Sequence, residues 1–272
     1  MTLLAAKDPQ QIFATLLEHL VPHRYSWTPT WKFGRIDLSP TNAVLNIWAA
    51  TALVILLFWL AASKPSIVPK GIQNLIEVAM SWVKENVVDS VMKPSDARAW
   101  FPFIATIFFF ILILNSIGLV PYLGYTPTSN IFVTAALAIG VYLLAVCIGM
   151  ARHGFFKFWK ATLVPAGLPG KGIMKALVTG FFLLIETISQ LARPFSLAVR
   201  LFANMLADHV ILLIFVGFIF IASGVILVPI LPLSLVLEVV FYLFALFVAF
   251  IQAVIFAFLS TIYINDALHP GH

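Results

Sequence analysis

"ARPFSLAVRLFANMLADHV", Ala192–Val210, carries two arginines, an asparagine, an aspartate and a histidine inside a long apolar run with no obvious break. The rest of the chain offers little water-facing surface to explain them. Of 272 residues, 62% are apolar and only 10% are charged, and the mean hydropathy is +1.04. A soluble domain has about a quarter of its residues charged. The composition therefore predicts a membrane protein, with these five polar groups placed where solvation is hardest.

Outward from that stretch, residues 172–220 contain no strong turn signal. As one helix they would be on the order of 70 Å long, more than twice a hydrocarbon core of ~30 Å. A second run, 233–264, gives about 48 Å. The uncharged connector "GVILVPILP", with Gly224, Pro229 and Pro232, separates the two. Each run is either broken or strongly inclined, and Pro194 predicts a kink by removing a backbone donor. Three shorter apolar runs fit single spans at 43–62, 99–120 and 131–150. Residues 70–93 alternate apolar and charged faces at helical spacing, which reads as an amphipathic helix along the membrane surface. It serves either as a plain connector or as a docking helix. The fold expected is an all-α membrane protein with about five to six hydrophobic helices. The last two are long, strongly inclined and form a hairpin.

Charge sets the sidedness. Segments 63–98 and 151–175 hold five Lys or Arg each, whereas the turn 121–130 holds none. Basic loops stay on the inner side. The expected order is an outer arm (1–42), a first span (43–62), an inner loop with the amphipathic helix (63–98) and a helical hairpin (99–150). An inner basic loop (151–171) and the two long helices with a C-terminal tail (172–272) complete it. The net charge of +5 belongs to these loops and implies no nucleic-acid partner. The single Cys147 excludes an intrachain disulfide and reads as a packing residue. The histidines lack a matching ligand set, so no metal is expected. His153 reads as solvated in the inner loop, and His269 and His272 as a soluble tail. No phosphate loop or nucleophile elbow is present, so no cofactor is expected and nucleotide chemistry must belong to another polypeptide.

On a helical wheel with Arg200 at zero, Glu186, Gln190, Arg193, Asn204 and Asp208 fall between about 20° and 80°, with Ser189 and Ser196 just across. His209 lies nearly opposite. Ser234, Glu238, Tyr242 and Gln252 form a weaker stripe on the second long helix. Ionisable groups in a membrane helix face protein or water. An arginine there is a permanent cation, able to hold a carboxylate ionised but unable to carry a proton itself. The neighbouring Glu, Asp, His, Asn, Gln and Ser can order water and relay protons. Arg193 reads as a snorkelling group or a partner of Glu186. Asp208 reads either as a partner of His209 or of an arginine, or as a conducting acid.

"RPFSLAVRLFANMLADH" (193–209) with "FVAFIQAVIFAFLSTIYINDALH" (247–269) closely resembles subunit a of rotary ATP synthases. "LVPYLGYTPTSNIFVTAALA" (119–138) and "PKGIQNLIEVAMSWV" (69–83) are similar to their counterparts in that family. The resemblance implies the membrane stator subunit beside a ring of c subunits, with two offset proton half-channels and no catalytic activity of its own. It also implies peripheral-stalk b subunits and other synthase subunits as partners. Arg200 would be the essential stator arginine, and Asn204 and Gln252 its polar companions at the ring. Glu186 would lie on the inner path and His209 on the outer path. Gln190, Arg193, Ser196 and Tyr242 are secondary candidates. Asp208 stands where Gly is common, and Ala245 where an acid or His is common, so Glu238 with Asp208 is expected to supply the missing ionisable group. A bacterial inner membrane is expected rather than an organellar one. The coupling ion is set on the ring, with protons the expectation and sodium open. The competing class is a stand-alone proton-coupled secondary transporter, which would show internal repeats. A voltage sensor would need more closely spaced arginines.

Overall fold

The computed structural model describes residues 22, 24, 30, 32–33, 36–37, 39–63, 71–120, 125–163, 173–221 and 227–270. Expectations for most of the arm 1–42, for Lys64 and Lys70, for residues 164–172 and for Gly224 lie outside these. Apart from a two-residue ladder of β1 (Lys32–Phe33) with β2 (Ile36–Asp37), the described elements are helical. They are α1 Asn42–Ser63, α2 Ile72–Val83, α3 Pro94–Ile117, α4 Ile131–His153, α5 Phe155–Leu163, α6 Ile173–Ile221 and α7 Leu227–Leu268. Five are long and apolar enough to cross a membrane: α1, α3, α4, and the stretches Leu177–Phe215 of α6 and Leu231–Leu268 of α7.

The spanning helices turn the soluble pattern inside out. On α1 the buried face is Asn42, Ala43, Asn46, Ala50 and Val54. Its exposed face carries Trp48, Ile55, Leu56 and Trp59. On α4 the buried face is Thr134, Ala138, Val141, Ala145 and Gly149. Lipid tails are as apolar as leucine, so helices associate through small and polar residues and leave large side chains outside. Cys147, expected to pack, lies instead on the exposed face of α4. It falls between the small residues that form the contact.

α6 has 49 residues and α7 has 42, about 73 and 63 Å of helix. α6 stays helical through Pro194. α7 starts earlier than its turn residues suggested: Pro229 and Pro232 both lie inside it. Pro229 falls in the first turn, where backbone donors have no intrahelical partner and proline is tolerated. α3 likewise starts on a proline, Pro94, five residues before the apolar run. The amphipathic α2 continues into a π turn, Lys84–Val88, that keeps Val87 and Val88 buried.

The described residues fall into two compact units. The first takes those up to Ile76, with Phe109–Asn130 and Leu201–Ala253; the second takes Glu77–Phe108, Ile131–Arg200 and Val254–His272. In the first, Asn204 meets Gln252 and Phe215 meets Phe241. Moving forward along α6 moves backward along α7, so the pair is antiparallel. In the second, Arg193 meets Tyr263 in that same register.

The first unit draws an uncharged turn into its interior. Tyr125 and Thr126 are buried, as are Thr128 and Ser129 of the short 3₁₀ turn Pro127–Ser129. Their polar groups are met by helices: Asn46 Nδ2 donates to the Tyr125 carbonyl at 2.6 Å, and Thr128 Oγ1 to Asn115 Oδ1 at 2.8 Å. Gly118 of the preceding turn has no side chain because Thr126 occupies that space; a Cβ there would lie 1.4 Å from Thr126 Oγ1.

The second unit ends α4 at Gly154, whose φ of +81° turns the chain into α5. Gly149 gives Phe158 of α5 a flat surface to rest on. Asp96 in the first turn of α3 accepts from Arg152 at 3.5 Å and from His269 Nε2 at 2.9 Å. His153 Nε2 donates to the Leu268 carbonyl at 3.0 Å. The expectation of a solvated His153 and a soluble tail at His269 is therefore corrected. Both tie the end of α7 to the basic end of α4.

Candidate functional site

α6 and α7 bring the polar side chains together within each unit. In the first, Asn204 Nδ2 donates to Gln252 Oε1 at 3.0 Å. Gln252 is only 1% exposed, and its Nε2 has no partner among the described residues. Asp208, one turn on from Asn204, is half-buried, and its Oδ2 likewise has none. Buried polar atoms left without partners cost about 1–3 kcal/mol each, so water, an ion or another subunit is expected to meet them. His209 Nε2 is hydrogen-bonded to Thr126 Oγ1. Asp208 makes no ion pair with His209. Adjacent residues on a helix point about 100° apart.

Glu238 and Tyr242 of α7 are half-buried, and Ser234 is buried. The register of Asn204 with Gln252 puts Asp208 level with residue 248. Glu238 therefore sits about 15 Å further along the pair. A direct proton exchange between Asp208 and Glu238 is ruled out by that spacing; water would have to connect them.

In the second unit, Gln190 is buried and joins two neighbours. It donates from Nε2 to Glu186 Oε1 at 2.9 Å, and its Oε1 receives the Tyr142 hydroxyl at 3.4 Å. Arg193 does not pair with Glu186. Its guanidinium donates to Asp266 Oδ2 at 2.8 Å and lies 5.9 Å from the Tyr263 ring centre. The Tyr263 hydroxyl donates to the Arg193 carbonyl at 3.2 Å. Tyr142, Gln190, Arg193, Tyr263 and Asp266 line a cavity of about 30 Å³ with Thr162, whose buried hydroxyl has no partner among the described residues. That volume holds on the order of two waters, and the wall is polar enough to keep them.

Arg200 and Ser196 are exposed on α6, whereas Leu197 and Leu201, about 60° and 100° round the helix from Arg200, are buried. Among the described residues the Arg200 guanidinium makes no hydrogen bond or ion pair. The polar stripe thus spans several environments: Gln190 is buried, Glu186, Arg193, Asn204 and Asp208 are half-buried, and Arg200 is open. Asp266 was missed by the sequence reading, although it sits 14 residues beyond Gln252, close to four helical turns and so on the same face.

A set of apolar spanning helices, two of them carrying amides, carboxylates, an imidazole and an exposed guanidinium, defines a multi-pass membrane protein. Residues 44–265 match the model of the family described as "ATP synthase A chain". Curated relatives named "ATP synthase subunit a" from Brucella ovis, Brucella canis and Brucella suis are each 40% identical over 248 residues, covering 90% of this chain and 95% of theirs. The chain belongs to the ATP synthase A chain family, and so to a component of that multi-subunit complex.

Proposed function

We propose that the chain is the non-catalytic stator subunit of a rotary synthase, coupling proton flow to rotation of a c-ring and thereby to ATP synthesis. It sits in a bacterial inner membrane with the c-ring, peripheral-stalk b subunits and the remaining synthase subunits. The observation that carries this reading is Arg200: an exposed guanidinium on a spanning helix, with no hydrogen bond or ion pair among the described residues.

A cation so placed costs several kcal/mol against lipid. It becomes favourable when a carboxylate on a neighbouring rotor faces it. The guanidinium keeps its proton, so it attracts the rotor acid's ionised form and blocks direct leakage without carrying protons. The acid must then exchange its proton elsewhere. His209, Asp208, Asn204 and Gln252 supply an outer path, to which Glu238 adds a further acid through water. Glu186, Gln190 and the polar cavity beside Arg193, large enough for water, supply an inner path, with Ser196 and Tyr242 as secondary polar groups. Helices of 49 and 42 residues fit the hydrocarbon only when strongly inclined. Inclination also presents a long face to a rotor.

The test is Arg200→Ala in the assembled complex. Proton-driven ATP synthesis in inverted membrane vesicles is expected to fall by at least about 100-fold, the loss of some 3 kcal/mol of charge stabilisation. The complex should still assemble, since no hydrogen bond or ion pair among the described residues is lost. Tight coupling in that variant overturns the reading.

A further inference from the structure

We propose that Thr126 is a positioning residue for His209: its buried hydroxyl, seated against Gly118, fixes which imidazole nitrogen exchanges protons. The inference rests on the reading of His209 as part of the outer path.

Thr126 is completely buried. Among the described residues its hydroxyl has one side-chain partner, His209 Nε2. A hydroxyl has a single proton to donate. If His209 Nε2 carried a proton, the Thr126 oxygen would accept it and its own hydrogen would be left buried without a side-chain acceptor among the described residues, at about 1–3 kcal/mol. If Thr126 donates, both groups are satisfied. Nε2 is then the acceptor, and Nδ1 carries the exchangeable proton. The neutral ring is thereby held as one tautomer, with Nδ1 as its working end.

The hydroxyl is itself held. The Thr126 carbonyl receives Ser129 Oγ at 2.7 Å, and the neighbouring Tyr125 carbonyl receives Asn46 Nδ2 at 2.6 Å. Thr128 is fastened to Asn115 at 2.8 Å. Gly118 completes the cradle, because any side chain there would collide with Thr126 at its oxygen, Cβ and Cα together. The other titratable groups next to this pair are Asp208, adjacent on α6, and Tyr125, adjacent in the turn. Neither is hydrogen-bonded to the ring.

The test uses the whole complex in inverted vesicles, with the amount of inserted subunit measured in every variant. Thr126→Val keeps shape and removes the donor. It is expected to lower proton-driven synthesis about 10-fold, the worth of one such bond. Thr126→Ser should restore most of the rate. In a His209→Gln background, Thr126→Val should add nothing. Equal losses in both backgrounds overturn the inference, since Thr126 would then act structurally. A His209→Gln variant with undiminished coupling overturns the outer-path reading, and this inference with it. A measurement independent of the valine variant is the ¹⁵N spectrum of the histidine-labelled complex. The signal that disappears in His209→Gln should show Nδ1 protonated; a proton on Nε2 overturns the proposal.

Discussion

The two units solve the problem of polar groups in an apolar protein differently. In the first, the bonds are neutral: amide to amide at Asn204 and Gln252, amide to carbonyl at Asn46, hydroxyl to imidazole at Thr126. The second adds ionic pairs to its neutral bonds: Arg193 with Asp266, and Asp96 with Arg152 and His269. The ionic pairs are partly open, with side-chain exposures of 30% and 47% for Arg193 and Asp266. An ion pair in a fully dry interior seldom recovers its desolvation cost, so charges gather where water reaches. The functional lesson concerns freedom to titrate. An acid fixed by a guanidinium is committed to its ionised form. Among the described residues neither Asp208 nor His209 faces such a partner.

That contrast can be broken from either side. The largest effect is expected from Asp266→Ala, which strands the Arg193 guanidinium beside the cavity. Removing one member of a buried pair costs 3–5 kcal/mol. Partial exposure reduces this to roughly 1–2, about a 10-fold fall in coupled synthesis, with a lower thermal midpoint for the complex. Gln252→Leu should cost less, about 1 kcal/mol, from the Asn204 amide left alone. The expected signature is a few-fold drop in proton-driven synthesis with normal assembly. Glu238→Gln should have the smallest structural effect, because no partner among the described residues is lost. Normal proton-driven synthesis in that variant removes Glu238 from the outer path, and a selective drop keeps it there.

Apolar length and turn residues sufficed for most of the fold. α1 and α4 begin within a residue of expectation, and the long run read as 172–220 is α6 at 173–221. Two helices begin earlier than expected: α3 starts on the polar stretch Pro94–Arg98, which an apolar run leaves out, and α7 starts inside its connector, where Pro229 in the first turn is compatible with helix. Arg200, Asn204 and Gln252 were legible because a guanidinium and amides are anomalous in an apolar run. Asp266 was legible in principle from its helical phase with Gln252, but it was assigned to a tail. Thr126 was not legible at all. Its partner is 83 residues away, and a threonine between a tyrosine and a proline carries no local signal of burial. The pairing of Arg193 with Asp266 rather than Glu186 is likewise a matter of how α6 and α7 meet, which no spacing on one helix encodes.

The open guanidinium of Arg200 has a consequence for biogenesis. A copy inserted without a neighbour covering that face would pull water and phospholipid headgroups toward the bilayer centre, thinning the membrane around itself. Such an orphan would be both a leak and a recognisable substrate for membrane proteases. The residue proposed to prevent slippage in the finished machine would thereby also mark every unfinished one.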